Sequence, residues 1–219
     1  NVDADRISGT SGDDVNIHTP DDVIVDQITA GGDLTLDVDG DIIAGADEGA
    51  ANVTGESLDI TADGDIGSED DYLIVDIQPE PKDPGNDEGL SADGDDIYLE
   101  LLGDVTIRDI DGDDVHIDAD GRVDGAADNG NDPDIDADNL DLSGDNGVGT
   151  EDNPLVIIVP GQEDIESEFG EVWYRNLFSI AESSCCCQSN FWDMVVARIM
   201  AAEEGEVLEI LEIVPCHRM

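Results

Sequence analysis

The sequence predicts an all-β, right-handed parallel β-helix (a solenoid) over residues 1–160, followed by a small, mostly helical region over 161–219. Three observations lead there. The chain repeats itself at a shift of about 82 residues. Short apolar alternations recur at roughly 20-residue intervals between Asp-Gly and Gly-Asp turns. The residue chemistry then changes abruptly near residue 160.

The repeat is the strongest of the three. Residues 57–77, SLDITADGDIGSEDDYLIVDI, align without a gap on 139–159, NLDLSGDNGVGTEDNPLVIIV, matching Leu58 to Leu140, Gly67 to Gly149 and Leu73 to Leu155. DDVNI at 13–17 answers DDIYL at 95–99, and DLTLDVDGDI at 33–42 answers DVHIDADGRV at 114–123, one register off. An internal duplication therefore covers most of 1–160, and its halves are expected to fold as equivalent sets of coils.

Within each half, apolar pairs alternate with polar residues: Val15/Ile17, Val23/Val25, Leu34/Leu36 and Leu58/Ile60, then Ile97/Leu99, Val105/Ile107, Val115/Ile117 and Leu140/Leu142. A period of two marks a short strand with one buried face. Val15 and Leu34 lie 19 residues apart, Ile97 and Val115 18. A coil of that length cannot bury an apolar face alone. Stacked coils can, by pairing parallel strands about 4.8 Å apart around a continuous aliphatic ladder. Eight such coils make a rod roughly 40 Å long. The expected interior includes Val15, Val25, Leu36, Ile60, Ile97, Leu99, Ile107, Ile117 and Leu142. An antiparallel sandwich, the alternative, shows no such repeat and draws on aromatic anchors.

Charge bounds the function. The chain has 58 acidic against 7 basic residues, a formal net charge of −51. Residues 1–160 hold 46 of the acids, 39 of them Asp, and only Arg6, Lys82, Arg108 and Arg122 as bases. Such a surface repels nucleic acid and anionic membrane, so no nucleic-acid partner is expected. No run approaches 18 apolar residues, so no transmembrane segment is expected. Self-repulsion is relieved by elongation, bound divalent cations or a salt-rich habitat. Few aromatics with high charge is also a composition of disorder, against which the regular alternation argues.

The segments AGGDLTLDVDGDI, LDITADGDIGSEDDYL and LDLSGDNGVGTEDNPLVI resemble the repeats of filamentous-haemagglutinin-type exoproteins, surface proteins exported by two-partner secretion. The most specific phrase is Ile/Val-Gly-Ser/Thr, two acids, then Asn-Pro-Leu leading into an apolar strand. It is complete over Val148–Leu155, whereas Ile66–Leu73 carries Asp71-Tyr72 in place of Asn-Pro. The resemblance covers about 1–160. It implies a right-handed β-helix, a secreted or bacterial-cell-surface location and structural or adhesive work, with a host-cell or matrix surface as a possible partner. The Asp load departs from the family, whose outer faces are richer in Thr, Ser, Asn and Lys.

Asp clusters are the main chemical feature. Asp109, Asp111, Asp113 and Asp114 sit close in sequence, but the position where an EF-hand needs Gly is Asp114, the position where it needs Glu is Asp120, and the flanks are strands. An EF-hand is thus excluded. Calcium between acidic turns of adjacent coils is the candidate cofactor. Its candidate ligands are Asp37, Asp39 and Asp41, with Asp118 and Asp120 matching the first two, and Asp109, Asp111 and Asp113. A solvated acidic face without bound ions is the first expectation, and calcium held by these residues the second. His18 and His116 fall at non-equivalent positions of the two halves. Paired carboxylates of glycosidase type are too abundant here to indicate catalysis, and no enzymatic activity is expected; a polysaccharide-acting enzyme is the remote alternative. Asn52-Val-Thr54 fits a glycosylation sequon.

Residues 161–219 hold all four Cys, both Trp and all Phe. A loose helical pattern over 168–182 runs through Trp173, and a clearer one from Asn190 includes Phe191 and Trp192. Cys185, Cys186, Cys187 and Cys216 fit no zinc or CxxC motif and are expected in disulfides, within the chain or between chains. The region is expected either to cap the open solenoid end or to join neighbouring subunits. The resulting expectation is a self-associating subunit of a surface fibre; a stalk or adhesive segment of a larger adhesin is the alternative.

Overall fold

The computed structural model describes residues 5–45, 49–78, 89–126, 133–151 and 154–177. Sixteen strands follow one another: β1 (Asp5–Thr10), β2 (Val15–Thr19), β3 (Val23–Thr29), β4 (Leu34–Val38), β5 (Ile42–Ala44), β6 (Val53–Gly55), β7 (Leu58–Ala62) and β8 (Leu73–Ile77) in the first half. β9 (Leu90–Asp93), β10 (Asp96–Leu102), β11 (Val105–Ala119), β12 (Val123–Gly125), β13 (Ile135–Gly144), β14 (Leu155–Ile158), β15 (Glu163–Glu166) and β16 (Tyr174–Asn176) complete the set. Every pairing is parallel, and together they make a β-solenoid of about seven turns.

Three stacked faces form because each coil turns at polar corners. On face A the ladder runs Val15–Leu34–Leu58–Leu90 through β2, β4, β7 and β9. On face B it runs Val23–Ile42–Ile66–Ile97–Val115–Leu140. Besides faces A and B, a third ladder runs Ile28–Val53–Val75–Leu101–Ala119. The pairings Val15↔Leu34 and Ile97↔Val115 have the spacing from which coil length was read. β11 and β13 bend around a corner: Ile110 pairs with Ile135 on face A, Val115 with Leu140 on face B. The bend joins faces A and B into one continuous sheet.

Inward side chains stack into a single aliphatic core. Val25, Leu36, Ile97, Leu99, Ile107 and Leu142 are fully buried, and Ile60 and Ile117 nearly so. Each such side chain contributes about 1.5–3 kcal/mol by leaving water. Val15 is only half-buried, as is Ile17. Both lie in the first coil, whose β2 pairs with β4 on one side and has no other partner among the described residues.

Equivalent segments of the two halves lie on different faces. Leu58 stacks between Leu34 and Leu90 on face A, whereas its counterpart Leu140 stacks between Val115 and Glu163 on face B. Local hydrogen bonds nevertheless correspond. Gly67 donates its N–H to Ile42 O at 2.8 Å, and Gly149 to Val123 O at 2.7 Å. Both glycines have positive φ, 71° and 59°, which is why that motif needs Gly. The shift of 82 residues therefore does not span a whole number of turns, and the expectation of simply superposed coils is corrected: equivalent segments lie on different faces.

Strands continue past residue 160. β15 pairs with β13, and β16 with β14. The helical pattern read over 168–182 is not taken up by its described part: Val172 bridges Val148, and Tyr174–Asn176 is a strand. The burial of Val172 and Ile165 against the core outweighs local helical periodicity. The helix expected from Asn190 lies outside the described residues.

Candidate functional site

Outward carboxylates fall into three groups with different chemistry. The first lines the corner where face A turns into face B. Asp22 Oδ1 accepts the N–H of Asp41 at 3.1 Å, Asp41 Oδ1 that of Asp65 at 3.1 Å, and Asp65 Oδ1 that of Asp96 at 3.2 Å. Asp96 in turn accepts the N–H of Asp114. The row ends in amides: Asn139 donates to Asp114 Oδ1 at 2.6 Å and accepts the N–H of Gln162 at 3.0 Å. A second corner has the same device, Asp14 accepting from Asp33 and Asp104 from Arg122. Each carboxylate satisfies a backbone N–H of the next coil, a charge-assisted bond that holds coil to coil. Asp41, expected as a metal ligand, belongs to this row.

The second group is a column on face A. Asp111 stands in register between Asp93 and Asp136. Burial first, and the Asp111 carboxylate second, hold Asp93 and Asp136 above the ordinary carboxylate value. Asp109 adds to the field at Asp136. Along β11, Asp109, Asp111 and Asp113 all point outward at a two-residue period, about 7 Å between successive members. Among the described residues these three are not gathered around one point as His18, Asp37 and Asp39 are; Asp111 meets other carboxylates across coils instead.

The third group contains a histidine. His18 on β2 pairs directly with Asp37 on β4, with Nδ1 3.2 Å from Asp37 Oδ2. Asp39 lies just beyond β4, its N–H bonded to Thr19 O at 2.9 Å. One donor atom from each of His18, Asp37 and Asp39 lies within 4.8 Å of the others. In the second half, Glu100 pairs with Asp118 as His18 does with Asp37. Burial, then Asp120 and Asp118, raise the Glu100 carboxyl. Asp118 also accepts a hydrogen bond from Ser143 Oγ at 2.9 Å. The expected ligands Asp37 and Asp39 are thus together, Asp118 and Asp120 are near Glu100, and the histidine is a residue that sequence comparison passed over.

Several residues bind coils rather than ligands. Asn52 is 1% exposed; its Oδ1 accepts the N–H of Ile74 at 2.9 Å and its Nδ2 donates to Val25 O at 2.9 Å. Such an Asn cannot receive a glycan in the folded chain. Asp134, its counterpart, is equally buried and accepts the N–H of Val156 at 2.7 Å and of Ala126 at 3.1 Å. Three of the four solenoid bases are clamps: Arg6 pairs with Asp26, Arg108 with Asp59 and Leu58 O, and Arg122 with Gly149 O. Tyr98 stacks on His116 with ring centroids 4.8 Å apart and meets Tyr72 edge-on at 5.6 Å.

Of the residues expected in assembly, Trp173 is half-buried and donates from Nε1 to Glu171 at 3.2 Å. Beside it, burial and then Glu163 push the Tyr174 hydroxyl up to about 12. Cys185, Cys186, Cys187, Phe191, Trp192 and Cys216 lie outside the described residues. No helix among the described residues is long and apolar enough to cross a membrane. No family model matches the chain, and comparisons with curated proteins and with solved structures found no match.

Proposed function

We propose that this chain is a non-catalytic structural subunit of an extracellular or bacterial-surface filament, a right-handed acidic solenoid that stacks end to end through its C-terminal region. The observation behind this reading is how the polar side chains are used. Corner carboxylates, Asn52, Asp134 and the arginines bind one coil to the next. The protein's chemistry serves the continuity of the rod. The resemblance of Val148–Leu155 to exoprotein repeats supports the surface location. Divalent cations, calcium among them, offset repulsion in columns such as Asp93–Asp111–Asp136, and the cysteines of 185–187 and 216 form covalent links.

The first coil favours assembly and also keeps the second reading, a stalk or adhesive segment of a larger adhesin, in view. Ile7, Val15 and Ile17 border an open apolar depression at the solenoid end, where a further coil is the natural cover. Negative-stain microscopy and sedimentation of the full chain, with calcium and with chelator, separate the readings. Regular fibres, lost when 178–219 are deleted from a still-folded solenoid, support the filament. Single short rods at high concentration overturn it in favour of the stalk.

A further inference from the structure

We propose that His18, Asp37 and Asp39 form a binding site for a divalent transition-metal ion of the zinc class. This inference is independent of the filament reading and concerns a different ion from calcium. Two backbone constraints build the site. The parallel register of β2 and β4 places His18 opposite Asp37, and the Asp39 N–H bond to Thr19 O anchors Asp39 beside the residue following His18. The three donors converge to within 4.8 Å of one another, a span that side-chain rotation closes to zinc distances of about 2.0–2.2 Å.

The donor set selects the ion. Calcium and magnesium take oxygen ligands and gain little from an imidazole. One imidazole nitrogen with two carboxylates suits zinc and its borderline neighbours. His18 and Asp37 side chains are 56% and 53% exposed, so an ion enters freely and water completes its shell. The net charge of −51 raises the local cation concentration. The second half supplies an internal contrast: at the matching place Glu100 stands with Asp118 and Asp120, an all-oxygen set.

The test uses the full-length chain, metal-stripped, with its cysteines alkylated so that the tail thiols do not bind. Zinc and calcium are titrated separately by calorimetry, and cobalt absorption reports coordination. The expected result is one zinc site that calcium does not displace at equal concentration. His18→Ala, Asp37→Asn and Asp39→Asn should each weaken zinc roughly tenfold or more, with unchanged circular dichroism, while His116→Ala leaves affinity intact. His18→Glu, which copies the second half, should shift preference away from zinc. Absence of zinc binding, unchanged affinity in His18→Ala, or equal displacement by calcium overturns the proposal. Fibre formation by the same variants is a separate readout, so a failure here leaves the structural reading untouched.

Discussion

The first and second halves of the solenoid use one sequence pattern on different faces, and comparing them separates what the fold needs from what is free to change. Positions 82 apart keep their backbone duties. Asp22 accepts from Asp41 as Asp104 accepts from Arg122, and Asn52 accepts from Ile74 as Asp134 accepts from Val156. Apolar ladder positions stay apolar, because all faces enclose the same core. Outward positions diverge: His18 against Glu100, Gln27 against Asp109. A solenoid with equivalent walls lets a duplicated segment begin on any face, provided corners and ladders are kept.

If the halves are structurally equivalent, matched core truncations should match in cost. Leu58→Ala and Leu140→Ala should each lose about 2–5 kcal/mol in chemical denaturation, the largest effect expected here. A twofold or greater disparity would break the equivalence.

The buried polar pair comes next. Asn52→Ala and Asp134→Ala each strand the N–H of the following coil, Ile74 or Val156, and should lose about 1–3 kcal/mol. Asp134→Asn should change stability by less than about 1 kcal/mol, since Asn in that place can repeat what Asn52 does. A loss from Asp134→Asn as large as that from Asp134→Ala would show that the two positions do different work.

The smallest effect concerns acid. Asp93, Asp96, Glu100, Asp124 and Asp136 are held above the ordinary carboxylate value, in each case by burial first. A raised native value means that the folded chain keeps a proton the unfolded chain has released. The stabilising contribution is therefore complete below the unfolded value near 4 and fades as pH rises through the native values. Lowering pH from 7 to about 5 should raise Tm slightly, because these groups are only partly buried and solvent still screens them. Glu100→Gln, which removes the titrating group at that place, should reduce that gain. A Tm that falls across this interval contradicts the assignment.

Strands and coil spacing were legible because they depend on local pattern: Val15/Ile17 and Leu34/Leu36 alternate, and polar Asp-Gly corners separate such pairs. The change of face was not legible. Successive coils differ in length, with bonded corner residues 19, 24 and 31 positions apart, so 82 residues do not translate into a number of turns. Val172 and Tyr174 were misread as helical because three residues of strand leave little periodicity. Asp37 and Asp39 stood out through their duplication, while His18 was set aside because it and His116 fall at non-equivalent positions of the two halves. Corner aspartates looked like ligands since sequence does not distinguish an acid that caps a backbone N–H from one that waits for a cation.

The change of face between the halves is tested most directly by disulfide trapping between outward positions in a chain whose tail cysteines are replaced by Ser. Asp59 pairs with Ser91 on face A, and His116 with Asp141 on face B, at the separation a disulfide requires. Cysteines placed at Asp59 and Ser91, or at His116 and Asp141, should oxidise to intramolecular disulfides in the folded chain, whereas cysteines at Asp59 and Tyr98 should not. Ready closure of the Asp59–Tyr98 pair with failure of the Asp59–Ser91 pair would place both halves on one face and contradict the account.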